Sequence, residues 1–321
     1  MKLSVLAVLL GDRPLYQALQ FLKDHGVQAV EIGCGGYPGK EHCDPAALLH
    51  DVPRFNLFRD NITNSGLELA ALSVHGNPVH PDKTIAKVFH DDFVNAVLLA
   101  EKLGVDRIVT FSGCPGGSAE DKTPNWATCV WPDDFLKVLD YQWNGVLIPY
   151  WKKMAAFAQE HGVTRIALEM HPGFCVYNPE TLLKLRSAVG GDIIGANFDP
   201  SHLYWQGIDP VEAIKYLKGA IHFFHAKDTY LNKHNISING VLDTKHYSDP
   251  MRGWVFRTVG YGHDALQWKE MMSALRQVGY DDVISIEHED ALMSSEEGLI
   301  KAINFLKDIM MFDKPGEMFW A

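Results

Sequence analysis

The stretch IIGANFDPSH, residues 193–202, decides how this chain is read. From Ile193 to Phe198 it is almost wholly apolar or small, with no alternating polar face. Such a run suits a strand covered on both sides, as in a parallel sheet. It then stops on an acid, Asp199, with His202 three positions later. Two readings of that ending stand side by side. Asp199 and Ser201 are good helix N-cap residues, and Pro200 suits a first helical turn. A carboxylate beside an imidazole at a strand end also suits a metal or substrate site. The rest of the chain has to decide.

Working outward, the same pattern recurs. Short apolar runs cover Leu3–Leu10, Ala29–Ile32, Leu67–His75 and Arg107–Phe111, then Arg165–Glu169, Ile193–Asp199, Ala220–His225 and Val283–His288. Helical patterns lie between them, at Leu15–His25, Asp91–Leu103, Asp133–His161, Pro179–Ala188, Pro210–Leu217, Ala265–Val278 and Ser295–Met310. Several close on a polar residue or valine and then glycine, as helices do: His25-Gly26, His161-Gly162, Val278-Gly279. Eight strands alternating with helices predict a single (β/α)8 TIM barrel spanning residues 1–321. No GxGxxG follows a strand, which argues against a doubly wound dinucleotide fold. Residues beyond the usual barrel length are expected in long loops after strands 4 and 7, at Gly113–Pro132 and Thr229–Asp264.

Composition narrows the function. The charge is 29 minus 40, or −11, which argues against nucleic acid or an anionic membrane as the main partner. The five cysteines are scattered, with no CxxC pair, so a reducing cytoplasm is the expected compartment. Met1–Asp12 imitates a short signal peptide. It lacks a small-residue cleavage site and runs straight into a helical pattern, so it reads as the first buried strand.

In a (β/α)8 barrel the C-terminal strand ends converge on the active site. Four successive runs here end on Glu169, Asp199, His225 and Glu287. One such residue alone is more often a cap or an edge charge. Three carboxylates in one layer would repel, and burying them is costly without a compensating cation. Three oxygen donors and one imidazole suit Mn2+, Mg2+, Co2+ or Zn2+.

These residues carry a family resemblance. ALEMHPG (167–173), NFDPSH (197–202), HFFHAKDT (222–229), FRTVGYGHD (256–264) and SIEHED (285–290) together resemble the xylose isomerase-like TIM-barrel superfamily, the sugar phosphate isomerase/epimerase group. SVHGNP (73–78) extends the likeness to the third strand. The resemblance implies one divalent metal, Mn2+ favoured, on Glu169, Asp199, His225 and Glu287. It makes the two glutamates the acid/base pair and has His202 reach a substrate oxygen. Where ketose epimerases of this kind place an arginine after the seventh-strand histidine, this chain has Ala226-Lys227-Asp228-Thr229.

The implied chemistry is proton abstraction next to a carbonyl, with a metal-stabilised ene-diolate. A sugar isomerase or epimerase is therefore expected. A lyase or dehydratase using the same deprotonation is the alternative, and a non-catalytic sugar-binding barrel the third reading. His75, His202 and Lys227 are expected to bind substrate, as are Trp254 and Arg257 from the long loop after strand 7. Glu31 and Thr110 are weaker candidates of the same kind. No Gly-rich phosphate cradle is present, so the expected ligand is an unphosphorylated sugar or cyclitol. The sequence leaves homo-oligomerisation open.

Overall fold

In a computed structural model, which describes residues 1–249, 251–314 and 316–317, the chain forms a closed barrel. Residues 318–321, part of the single-domain reading, lie outside the described residues. Strands β1 (Lys2–Leu6), β2 (Ala29–Gly33), β3 (Glu68–Ser73), β4 (Arg107–Phe111), β5 (Arg165–Glu169), β6 (Ile194–Phe198) and β7 (Ile221–Ala226) are barrel staves. A short ribbon, β8 (Asp228–Leu231) and β9 (Trp254–Arg257), precedes the eighth stave, β10 (Val283–Ile286). The staves are all parallel and close in the order β1-β10-β7-β6-β5-β4-β3-β2. The sequence expectation of eight alternating units holds.

Helices wrap the barrel: α1 (Leu15–Asp24), α2 (Pro45–His50), α3 (Val52–Ser65), α4 (Lys83–Leu103), α5 (Asp134–Asp140), α6 (Ile148–Glu160), α7 (Pro179–Val189), α8 (Pro200–Tyr204), α9 (Pro210–Tyr216), α10 (Lys233–Asn239), α11 (Ala265–Gln277) and α12 (Ser295–Ile309). Their apolar stripes, such as Leu299, Ala302, Ile303 and Leu306 on α12, are fully buried against the outer strand faces. Inside the barrel, Phe223 sits among small residues, Ala29, Ala71, Ala167 and Val109. One large ring surrounded by alanines suits a narrow lumen. Below it the guanidinium of Arg107 lies 5.1 Å from the Phe223 ring and bonds Asp282, which also receives Arg165 at 2.8 Å. This ion-pair network belongs to the N-terminal end, away from the strand ends that carry the site.

Three expectations change in detail. The run Leu3–Leu10 is a strand only to Leu6; Ala7–Leu10 is a 3-10 turn that brings Val8 over the barrel mouth. The pattern Asp133–His161 is not one α-helix. Residues Tyr141–Leu147 between α5 and α6 form a π-helical segment. In it Gln142 is buried, and its side chain bonds the carbonyls of Pro115 and Gly116, each at 3.2 Å. The wider turn thus tethers the long loop after β4. The stretch Thr229–Asp264 is more than a loop, since β8, α10 and β9 occupy it. Helices α2 and α3 went unnamed in the sequence pattern, although each has an aspartate cap and an early proline (Asp44-Pro45; Asp51 before Pro53).

One backbone position ties the fold to the mouth of the barrel. Gly36 has φ +62°, and a Cβ there would lie 1.9 Å from the backbone oxygen of His75. Gly104 also has a positive φ, +70°, but nothing lies within 4 Å of its would-be Cβ. Gly104→Ala should therefore cost only the left-handed penalty, about 1 kcal/mol. Gly36→Ala must add a backbone displacement and should lower the thermal midpoint by clearly more. Equal midpoints for the two variants would show that the loop at Gly36 yields freely.

Candidate active site

The opening stretch resolves both ways. Asp199 caps α8: its Oδ1 accepts from the Ser201 amide at 2.8 Å. Its Oδ2 is buried and makes no hydrogen bond. Lys227 Nζ and His202 Nε2 come near, at 3.4 and 3.3 Å. One oxygen starts the helix and the other is left for something else.

The strand ends bring the remaining candidates to that oxygen. Glu169 ends β5, His225 lies near the end of β7, and Glu287 follows β10. Glu169, Asp199, His225 and Glu287 each offer a ligand atom, all within 4.8 Å of one another. The first three are buried, and the Glu287 side chain is 20% exposed. A buried, unpartnered carboxylate oxygen within such a set fits a divalent cation.

Each member is held in place. Glu169 Oε1 takes a bond from His202 Nε2 at 3.0 Å, and Oε2 is met by His75 Nε2 at 3.0 Å and Asn197 Nδ2 at 3.1 Å. Burial works to raise the Glu169 pKa, but the bonds from His202, His225 and His75 hold it well below the usual carboxylate range. Burial pushes the Asp199 carboxyl up to about 7, with Lys227 opposing and the charges of Glu169 and Glu287 adding to the rise. Burial likewise works against ionised Glu287, yet the neighbouring Lys227 and His225 lower its pKa. The protein's own cations thus keep two carboxylates ionised and leave the third poorly compensated.

His225 is oriented by a group that strand-end logic ranked low. Its Nε2 lies 3.0 Å from both Glu31 oxygens, and its Nδ1 lies 3.0 Å from Glu287 Oε2. Glu31, on β2, is fully buried and also accepts from Ser285 Oγ at 2.6 Å and from Ser73 Oγ. Burial disfavours a charged His225, but Glu31 and the bonds to Glu169 and Glu287 raise its pKa well above normal. With Nε2–H committed to Glu31, Nδ1 is the nitrogen available to a metal, once it loses its proton.

Lys227 sits 3.2 Å from Glu287 Oε2, 3.4 Å from Asp199 Oδ2 and 3.5 Å from Glu289 Oε2, with its ammonium 4.6 Å from the Phe256 ring centroid. His171 packs 4.0 Å from His202, and burial pushes its pKa down to about 3, so it is neutral. A cavity of about 760 Å³ opens above these groups. His75, Glu169, Lys227 and Glu287 line it, and Phe111, stacked on Phe174 at 4.3 Å, forms part of its wall.

Neither of the two expected loop contacts lines this cavity. Arg257 Nε bonds Asp290 at 3.0 and 3.1 Å, and its guanidinium lies 5.5 Å from the Tyr261 ring. Trp254 is buried in parallel stacking with Trp205 at 4.6 Å, with the Arg252 guanidinium also 4.6 Å from its ring. Those two neighbours leave little free indole face. Thr110 spends its hydroxyl on the Val74 carbonyl at 3.0 Å.

A family model described as "Xylose isomerase-like TIM barrel" matches residues 19–309. The uncharacterized protein YfiH of Bacillus subtilis is 39% identical over 310 residues, covering 96% of this chain and 98% of that one. Inosose isomerase of Bacillus velezensis is 30% identical over 138 residues, 42% of this chain and 43% of that one. A solved structure of the IOLI protein with a binding zinc atom has a TM-score of 0.62 and 20% identity, over 96% of this chain and 98% of that chain; the likeness is one of fold.

Glu31→Gln keeps the shape beside His225 but removes the charge that fixes its tautomer. Affinity for added Mn2+ or Zn2+, measured by calorimetry, should fall about 10- to 100-fold, the usual effect of losing such an outer partner. Unchanged affinity would mean that Glu31 is only a core carboxylate.

Proposed function

Because this chain belongs to the xylose isomerase-like TIM-barrel family, we propose that it is a divalent-metal-dependent isomerase or epimerase of an unphosphorylated sugar or cyclitol. The observation that carries this reading is the set Glu169, Asp199, His225 and Glu287 with its one unpartnered oxygen. These four would hold the ion, and the carboxylate-rich donor set favours Mn2+. The IOLI protein of similar fold carries zinc, so Zn2+ is the next choice. When bound, the ion would polarise the substrate carbonyl and steady the negative charge that develops as the adjacent carbon loses its proton.

The chain's own groups do the rest. Glu287 is the most open of the four and is the base that takes the proton. Glu169 faces the same cavity, and in the epimerising direction it passes to the opposite face a proton first taken up from solvent through that cavity. His75, His202 and Asn197 fix the Glu169 carboxylate, so its position does not have to be found during reaction. Lys227, beside Glu287, supplies fixed positive charge where an oxyanion forms. His202, neutral because burial and the nearby Lys227 lower its pKa, donates from Nε2 to Glu169 and orients it. The described cysteines are all free, which fits a reducing, cytoplasmic setting. Among the described residues no helix is long and apolar enough to cross a membrane.

Purified protein should contain about one equivalent of divalent metal, since one such four-ligand set is present among the described residues. Full chelation should abolish turnover and lower the thermal midpoint, because an ion bound only by the folded state stabilises it. Turnover that persists after complete chelation refutes metal dependence.

In heavy water the wild-type enzyme should place deuterium on the carbon beside the substrate carbonyl, read by proton NMR over a sugar and cyclitol panel. Glu287→Gln with metal retained should lose roughly two to four decades of turnover. A product lacking water or an aglycone would assign the same residues to a lyase. Conversion without solvent exchange would sink proton abstraction.

A further inference from the structure

A second cavity adjoins the first. It has a volume of about 430 Å³, and His171, Tyr247 and Phe256 line both. Its own walls are aromatic and apolar: Trp126, Trp205, Trp254, Val241 and Leu242. They come from the loop after β4 (Trp126), the end of α8 (Trp205), the tip between β8 and β9 (Val241, Leu242) and the start of β9 (Trp254). Pockets of about 300–1,000 Å³ hold drug-sized ligands. A single free sugar is much smaller, so the first cavity already exceeds what a monosaccharide fills, and the second is superfluous to one.

The chemistry of the walls says what could fill it. Its charged groups are already paired. Asp243 accepts from the Lys245 ammonium at 3.1 Å and from the Gly253 amide at 2.8 Å. Arg252 donates to the Trp254 carbonyl at 3.1 Å and to the Lys245 carbonyl. Trp254 and Trp126 give their indole N–H groups to the carbonyls of Val241 and Phe174, both at 3.0 Å. A second sugar would bring several hydroxyls against a wall whose charged groups and whose Trp126 and Trp254 indole N–H groups are already bonded, and each unpaired hydroxyl would be penalised. A flat apolar ring would meet ring faces and edges instead. One further donor beside this wall, the Trp205 indole N–H, is buried without a partner.

We infer that the second cavity is an aglycone subsite, and that the physiological substrate is a glycoside whose sugar ring carries a ketone and whose aglycone is a planar aromatic group. The sugar ring lies over Glu169 and Glu287 and the aromatic group lies among Tyr247, Phe256 and Trp205. The assignment rests on the proposed function for the position of the sugar. Leu242, 79% exposed at the cavity wall, is the substitution site least able to disturb the fold.

The test compares p-nitrophenyl with methyl glycosides of glucose, galactose, mannose and xylose, with cellobiose as the two-sugar control. Affinity for the metal-loaded protein is measured by calorimetry. At least one p-nitrophenyl glycoside should bind tenfold or more tightly than its methyl partner, and more tightly than cellobiose. Leu242→Asp should cut that ratio to threefold or less. Equal affinity within every pair, no binding by any aryl glycoside, or tighter cellobiose binding overturns the assignment. So does an aryl preference that Leu242→Asp leaves intact. The two readings fail separately. If only the subsite is wrong, metal-dependent deuterium exchange survives without an aryl preference. If only the catalytic reading is wrong, the aryl preference persists while no sugar of any kind exchanges.

Discussion

The structure is organised around the need to keep several carboxylates charged and close together where there is almost no water. Glu31, Glu169, Asp199 and Glu287 converge from different staves of one barrel. Burial disfavours Glu169, Asp199 and Glu287 as anions. His225 and Lys227 answer most of that cost: the first bridges Glu31 and Glu287, the second reaches Asp199, Glu287 and Glu289. Their reach stops short of a proper bond to Asp199 Oδ2. The local geometry of β5, β6, β7 and β10, including which residue ends each strand, follows from presenting these charges to one point.

The two ends of the barrel handle charge differently. At the N-terminal end, Arg107 and Arg165 share Asp282 in direct ion pairs, beneath a lumen filled by Phe223. Among the described residues, the groups that could hold a metal lie at the other end. At the mouth, anions are in excess and the polar groups are arranged in shared bonds, such as Glu169 receiving His75, His202 and Asn197. Unequal charge balance across one cylinder separates what holds the fold from what can act on a ligand.

Much of this was legible in the sequence, for physical reasons that differ by residue. The barrel shows because apolar runs without a polar face, recurring between amphipathic ones, have few other ways to be covered. The acids at the strand ends show because each interrupts such a run. Glu31 was harder to see: it lies inside β2, and nothing local says that it faces His225, whose sequence position is far away. Arg257 and Trp254 look like contacts in a polar, aromatic stretch. Only tertiary partners reveal that Asp290 holds one and that Trp205 and Arg252 enclose the other. The π-helical segment was hidden because its residues, Tyr141–Leu147, continue a helical pattern whose widened turn depends on the loop that Gln142 holds.

The ribbon of β8 and β9 is fastened at its base. Asp228 accepts from the amides of Gly260, Gly262 and His263, and from the Trp268 indole at 3.3 Å. That knot fixes where the chain leaves the barrel beside Lys227 and where it rejoins α11. The knot thus anchors both ends of the ribbon, whose described tip carries α10 and Tyr247, a residue of the cavity wall. Anchoring by a single buried carboxylate lets the lining above it change while the groups beside Lys227 keep their places.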